Sequence, residues 1–354
     1  MTRYFVTGAT GFLGGHLTTQ LLAAGHEVVA LCRDDEPDLE DRGVVVVHGD
    51  VTDRASVERG AAGCAGIFHC AGKVSRNPED ADELYRLHVG GTRAVLEGAR
   101  ATKVSRVVIA STSGTVAVSE DEKHVATEAD PTPVTLLSRW PYYRTKLYAE
   151  ELALAENKDG LEVVSVNPTL LLGPGDIRGS STEDVRLFLD RRVPAVPKGG
   201  LSFVDARDAA AGMILAMSRG VSGRRYLLGA CNLTVREFFA RLERVSGVRA
   251  PWLPVPRVPG LARAGAAFLG RFGRGWLSAE VDPVSFEMAQ YYWYLDASLA
   301  ERDLGWTPRD PTDTLADTVK DLGQRRTSWQ TGWPAAPSAT DLSPRDAGHS
   351  GPAG

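Results

Sequence analysis

Residues Thr7 to Gly14 read T-G-A-T-G-F-L-G and follow directly on the apolar run Tyr4-Phe5-Val6. A strand that breaks at once into three glycines spaced three apart, and then into a helix, leaves the chain few folds to adopt. Gly8 permits a tight turn, Gly11 lets the backbone approach a pyrophosphate, and Gly14 lets the helix pack close to the strand. The start of that helix offers unpaired N–H groups and the positive end of the helix dipole. Glycine triplets also occur in turns that bind nothing, but here strand, loop and helix stand in the order a dinucleotide site requires.

The rest of the first half repeats the same alternation. Val28 to Cys32, Val44 to Val47, Ile67 to Ala71, Val107 to Ala110 and Val163 to Val166 have strand character. Helical segments separate them: Leu13, Leu17 and Leu21 up to a stop at Gly25, a helix capped by Asp53, one from about 83 to 100, and one from about 142 to 156. Six strands joined by helices predict an α/β fold with a doubly wound parallel sheet, the Rossmann arrangement. After Asn167-Pro168 the alternation weakens and proline, glycine and aromatic residues become frequent. The expected organisation is a dinucleotide-binding domain over 1–168, rejoined by 200–230 through a helix at Ala206–Met217 and a strand at Tyr226–Leu228. A smaller C-terminal substrate-binding lobe takes 169–199 and 231–325, with a helix near Thr234–Ser246, and 331–354 form a disordered tail.

Composition narrows the function. The 354 residues carry a net charge of −5 with both signs interspersed, and no basic stripe marks a nucleic-acid partner. The four cysteines are scattered without a C-x-x-C pair, which suits a reducing cytoplasm and predicts neither a disulfide framework nor a metal site. No basic-then-apolar leader precedes the first strand, and no apolar run is long enough for an integral membrane segment. A cytoplasmic protein acting on a small molecule is the expectation.

Tyr142 and Lys146 are four apart on a predicted helix, so both project from one face. An ammonium beside a phenol stabilises the phenolate and lowers its pKa, making proton exchange with a carbonyl or alcohol accessible near neutral pH. An ordinary amphipathic helix with an incidental tyrosine and lysine has the same spacing, and Tyr143 is a competing neighbour. Ser111-Thr112-Ser113 close the fifth strand at the carboxyl end of the sheet, where open α/β sheets place their ligands. A hydroxyl there can hydrogen-bond a substrate oxygen, or simply end the strand.

Taken together, the segments TGATGFLGGHL (7–17), HGDVTD (48–53), IFHCAG (67–72), HVGGTRAVLEGA (88–99), VSRVVIASTSGTV (104–116), YYRTK (142–146), VNPTLLLGPGD (166–176), FVDARDAAAGM (203–213) and LDASLAERDLGWTP (295–308) resemble the extended short-chain dehydrogenase/reductase family over about residues 1 to 320. The resemblance implies a catalytic triad of Ser113, Tyr142 and Lys146, with Thr112 as a substitute for the serine. Tyr142 would exchange the proton, Lys146 would hold the nicotinamide ribose and depress the tyrosine pKa, and Ser113 would orient the reacting oxygen. Thr7, Gly8, Thr10, Gly11, Phe12, Leu13 and Gly14 would cradle the cofactor, Asp50 and Val51 would flank its adenine, Ala71 and Gly72 would line its ribose, and Pro168 would lie near the nicotinamide. Relatives also pair as homodimers through the two helices near 83–100 and 142–156.

Arg33 stands just after the second strand, roughly 20 residues past the glycine loop. An arginine there favours the 2′-phosphate of NADP by charge and bidentate hydrogen bonding, whereas an acid would favour NAD; Asp34 and Asp35 follow it and keep NAD(H) open. Many family members have asparagine at the position of His88, so His88 reads as a core or helix-face residue. Gly114 and Thr115 replace the Asp–Glu pair of sugar-nucleotide dehydratases, and Ala117 replaces the tyrosine of many epimerases. STSGTV and C-R-D look closer to the dihydroflavonol 4-reductase and 3β-hydroxysteroid dehydrogenase branch. The lobe's Trp252, Phe268, Phe272, Trp276, Phe286, Tyr291, Tyr292 and Trp293 offer an apolar pocket or a core, and Arg178 and Lys198 offer charge to an anionic substrate group. The expected function is an NAD(P)H-dependent ketoreductase acting on a mid-sized, fairly apolar carbonyl compound. The alternatives are a nucleotide-sugar epimerase with tightly bound NAD and a non-catalytic dinucleotide-binding protein.

Overall fold

Alternate side chains along each strand of the first half go to opposite faces, and both faces are apolar, so each must be covered. The structure, a computed structural model, describes residues 1–193, 195–255 and 283–327. In chain order it builds β1 (Arg3–Thr7), α1 (Phe12–Ala23), β2 (Glu27–Cys32), α2 (Pro37–Glu40), β3 (Val45–His48), α3 (Arg54–Ala61), β4 (Gly66–His69), α4 (Ala81–Tyr85), α5 (Gly91–Ala101), β5 (Arg106–Ala110), α6 (Val134–Leu137), α7 (Pro141–Ala155) and β6 (Glu162–Pro168). Then follow β7 (Leu170–Leu172), α8 (Glu183–Leu189), β8 (Val196–Pro197), β9 (Gly200–Asp205), α9 (Ala206–Arg219), β10 (Arg225–Leu228), β11 (Cys231–Thr234) and α10 (Val235–Ser246). The helical segments Pro283–Met288, Ser298–Leu304 and Pro311–Thr327 come last.

Seven strands form one parallel sheet in the order β10-β6-β5-β4-β1-β2-β3. Val6, Val28, Ala30, Val108, Val164 and Val166 face the core that includes Leu17 and Leu21 of α1 and Ala209, Ala210 and Met213 of α9. Phe5, Val29, Ile67, Val107, Ile109 and Val163 face the opposite core under α3, α5 and α7. β1 pairs with β2 on one side and with β4 on the other, and the chain crosses back over β1 between β3 and β4; that reversal of strand order places a ligand crevice at the carboxyl ends of those strands. The expected cap of α3 is present: Asp53 accepts hydrogen bonds from the N–H groups of Ala55 (3.2 Å) and Ser56 (3.1 Å), an arrangement worth about 1 kcal/mol.

Beyond β6 the structure adds a second sheet, β11-β9-β7, that the sequence reading did not anticipate. It lies beside a separate apolar core of Leu172, Phe188, Phe203, Phe238, Phe239, Leu242, Leu315 and Val319. The helix expected over 83–100 is divided as well: between α4 and α5, Arg86–Gly90 are wound as a π-helical turn. The apolar stretch 258–276, with Phe268, Phe272 and Trp276, and the tail 331–354 lie outside the described residues.

Candidate active site

The glycine loop joins β1 to α1 against the end of β4. Gly8 has φ +76°, and a Cβ there would come within 2.6 Å of the Ala71 backbone nitrogen. A Cβ on Gly14 would lie 2.0 Å from the Gly8 carbonyl oxygen. Both positions therefore require glycine for backbone to meet backbone. The helix begins at Gly11 with no side-chain cap and no acid in its first turn, leaving first-turn N–H groups for an anionic ligand. This cradle fits the pyrophosphate of a dinucleotide. Thr7 ties the loop down: its hydroxyl bonds His69 Nδ1 at 2.8 Å and accepts from the Ala71 N–H at 3.3 Å.

The other expected cofactor residues sit on the loop after β1 or at and just beyond the ends of other strands of the sheet. Thr10 is exposed on the loop, while Phe12 and Leu13 open α1 half-buried. Arg33 follows β2 directly, is exposed, and pairs with no acid among the described residues; Asp35 faces His48 at 3.6 Å. Asp50 and buried Val51 follow β3, Ala71 and Gly72 follow β4, and buried Pro168 ends β6. The Thr52 hydroxyl and N–H, donating at 2.7 and 2.8 Å, hold the Asp50 carboxyl below the usual carboxylate range, so it is ionised.

The three residues of the expected triad stand around the end of β5. Ser113 opens a buried 3-10 turn whose N-cap is Thr112. Tyr142 lies in the first turn of α7, behind Pro141. One turn on, the Lys146 ammonium donates to the Ala110 carbonyl at 2.5 Å. Burial pushes Lys146 down to about 8, with Glu150 and Cys70 acting in the opposite sense. The expected lowering of Tyr142 is not what the chain alone produces. Burial, with Tyr143 beside it, raises that phenol above the ordinary tyrosine range. Spacing puts the two groups on one face of α7, whereas desolvation favours the neutral form of each.

His88 is a buried core residue. Its Nδ1 bonds the Thr145 hydroxyl at 2.9 Å and its Nε2 accepts from the Lys73 N–H at 3.2 Å, which puts the proton on Nδ1. Burial, then Lys146, push His88 and likewise His69 down to about 3, so both rings are neutral.

Tyr143 is not an idle neighbour. Its ring centroid lies 5.0 Å from that of Tyr142 and 4.9 Å from that of Trp293, in an apolar group with Trp140, Tyr291 and Met288. It fills the space a side chain at Gly114 would take, since a Cβ there would come 2.1 Å from the ring. Of the other candidates for a substrate pocket, Trp252 is 85% exposed, and Arg178 and Lys198 are exposed. Sequence reasoning missed Glu150, Asn167 and Arg225, which meet one another and hold Ser111, Thr112 and Thr115 on either side of Ser113. The available signal was that Glu150 falls four residues after Lys146 on the same helical face.

Among the described residues no helix is long and apolar enough to cross a membrane, and no group of three or more metal-ligating side chains is assembled.

Residues 4–229 match the NAD dependent epimerase/dehydratase family. A Synechocystis protein provisionally named dihydroflavonol 4-reductase is 35% identical over 329 residues, covering 89% of this chain and 93% of that one. Sterol demethylase protein B of Methylococcus capsulatus is 32% identical, covering 89% and 96%. A nucleoside-diphosphate-sugar epimerase from Pseudomonas aeruginosa shares the fold with TM-score 0.75 and 24% identity, over 92% of this chain and 98% of that one.

Proposed function

The chain belongs to the NAD-dependent epimerase/dehydratase family of extended short-chain dehydrogenases/reductases, and from that premise we propose that it is an NADP(H)-dependent ketoreductase acting on a mid-sized, apolar carbonyl compound. One observation carries this reading. Tyr142, a phenol that loss of solvent keeps neutral, stands one helical turn from a partly buried ammonium and beside an aromatic group. A neutral phenol is the protonation state that can give a proton to a carbonyl oxygen.

The glycine loop, Arg33, Asp50, Val51, Ala71, Gly72, Lys146 and Pro168 would hold the cofactor, which supplies hydride when bound. Arg33, exposed and unpaired by any described acid, favours NADP. Ser113 hydrogen-bonds the substrate oxygen, Tyr142 protonates it, and Lys146 holds the ribose and keeps positive charge close to the phenol. Tyr143, Trp140 and Trp293 wall the substrate side and exclude water. Two relatives agree in substrate character: sterol demethylase protein B, and a Stigmatella aurantiaca ketoreductase named for a farnesyl dihydroquinoline oxide, 29% identical over 91% of this chain. The unit is a homodimer through α4, α5 and α7, which expose Tyr85 and Tyr148.

The test is Tyr142→Phe, assayed by NADPH oxidation against a panel of apolar ketones. Turnover falls by about 10²–10⁴-fold or more while NADPH still binds. Undiminished turnover in the variant would refute the assignment. So would a wild-type chain that retains NAD through purification and consumes no added NADPH, the behaviour of an epimerase, or one that binds NADPH firmly and reduces nothing.

A further inference from the structure

Glu150 lies on α7 one turn beyond Lys146 and is fully buried. A carboxylate in that position must be compensated, and it is compensated from four directions. Its Oε2 accepts from the Ser111 hydroxyl, from Thr115 Oγ1 at 3.0 Å and from Asn167 Nδ2 at 2.8 Å. Its Oε1 faces Arg225 Nε of β10 at 3.0 Å, an ion pair without the alignment of a hydrogen bond. Asn167 also donates to the Thr112 carbonyl at 3.1 Å. One carboxylate thus joins the end of β5, the turn that carries Ser113, β6 and β10 to the helix that carries Tyr142 and Lys146. A narrow cavity lined by His69, His88, Thr92, Ser111, Lys146 and Glu150 connects the ammonium to this carboxylate.

The charges around Lys146 can be sorted. From β4 and the residue after it come His69, driven to about 3, and Cys70, pushed up to about 12. From the π-helical turn comes His88, also at about 3, and from α7 itself the raised phenol of Tyr142. All four are neutral between about pH 5 and 10. Behind Glu150 stands Arg225, whose side chain is 19% exposed.

We propose that Glu150 is a positioning residue: the fixed countercharge of the Lys146 ammonium and the joint that seats the Ser113 turn against α7. The proposal rests on the assignment of Tyr142 and Lys146 made above. A network serving only to fill the core would need the hydrogen bonds and not the charge. The two roles separate by substitutions of opposite electrostatic sign. Glu150→Gln removes the negative charge, and Arg225→Met removes the positive charge that offsets it.

The experiment follows Lys146 in the cofactor-free chain by competitive acetylation across pH, read by peptide mass spectrometry, and repeats the pH profile of kcat/KM for ketone reduction. Glu150→Gln moves the Lys146 midpoint, and the alkaline limb of the profile, down by about one unit or more. Arg225→Met moves both upward. A midpoint unmoved by Glu150→Gln, or lowered by both substitutions alike, overturns the proposal. If Glu150→Gln does not fold, Arg225→Met decides: an upward shift supports the countercharge, and no shift or a downward one refutes it. Opposite shifts in a chain that reduces no ketone uphold the countercharge and sink the ketoreductase reading. An unmoved midpoint in a chain whose activity requires Tyr142 does the reverse.

Discussion

Gly14→Ala tests the cofactor cradle at its tightest point. The added Cβ would lie 2.0 Å from the Gly8 carbonyl oxygen, 2.7 Å from the Gly8 carbonyl carbon and 3.1 Å from Ala9 Cα. Carbon and oxygen in close contact need about 3.3 Å, so α1 must retreat from the loop by about 1.3 Å, the difference between those distances. Both partners are backbone, and no side chain can swing aside. Overpacking of this kind costs about 1–3 kcal/mol, and the upper half applies here. In a chain of 354 residues, with about 2.1 cal/mol/K of unfolding entropy per residue, that lowers Tm by roughly 3–4 °C. The binding effect is separate. A displacement near 1 Å at a preorganised site costs about 10²-fold, so Kd for NADPH rises by that order in a fluorescence titration. Gly25→Ala is the control. Gly25 has φ +77° with nothing near its missing Cβ, so alanine there carries about 1–2 kcal/mol of strain with no approach to the loop. Its Tm falls and its Kd stays. If Gly14→Ala binds NADPH as the wild type does, or loses no more affinity than Gly25→Ala, the close approach does not form the site.

Two further outcomes follow from the same geometry. His69 and His88 are buried neutral at about 3, below their value of 6.5 in the unfolded chain. Their contribution is complete above pH 6.5 and is lost as the pH falls toward 3, because the unfolded state then binds protons that the folded state refuses. At pH 4.5 each withdraws on the order of 2–3 kcal/mol; melts at pH 7.5 and 4.5 should show a drop that shrinks in His88→Asn, and an equal drop in that variant counts against the buried neutral ring. Arg33→Ala should lower kcat/KM with NADPH by about 10-fold or more and leave NADH little changed; a wild-type preference for NADH that survives the substitution removes the arginine from cofactor choice.

What the chain discloses about itself divides by distance along it. The strand, glycine turn and helix of residues 4–23 are legible because every contact that defines them lies within a few residues. Asp53 is legible as a cap for the same reason. The parallel sheet is legible because strands covered on both faces are apolar throughout. The joint beneath the site is not, since Glu150 and Arg225 are remote in sequence and each, alone, looks like an ordinary charged residue. Only the placement of Tyr142, Lys146 and Glu150 at successive turns of one face hints that the face is turned inward. The second sheet escaped notice because β7 is three leucines separated from β6 by Thr169 alone.

The protonation of the pair shows why spacing is a weaker guide to chemistry than to geometry. Four residues on a helix bring a phenol and an ammonium to one face in any environment. In water the ammonium would be the larger influence and the phenol would fall. In this chain both groups are partly buried, and loss of solvent penalises phenolate and ammonium alike, so the phenol rises and the lysine falls toward 8. A pair left to itself would then drift toward two neutral groups, a poor arrangement for stabilising the phenolate that remains once the proton has been given. In the role proposed for Glu150, a third charge on the same face offsets this, because it acts on the ammonium in the sense opposite to burial. Proton donation to a ketone needs a neutral phenol before the step and a cation beside it afterwards. Burial favours the first, and in the proposed mechanism the carboxylate one turn beyond the lysine supports the second.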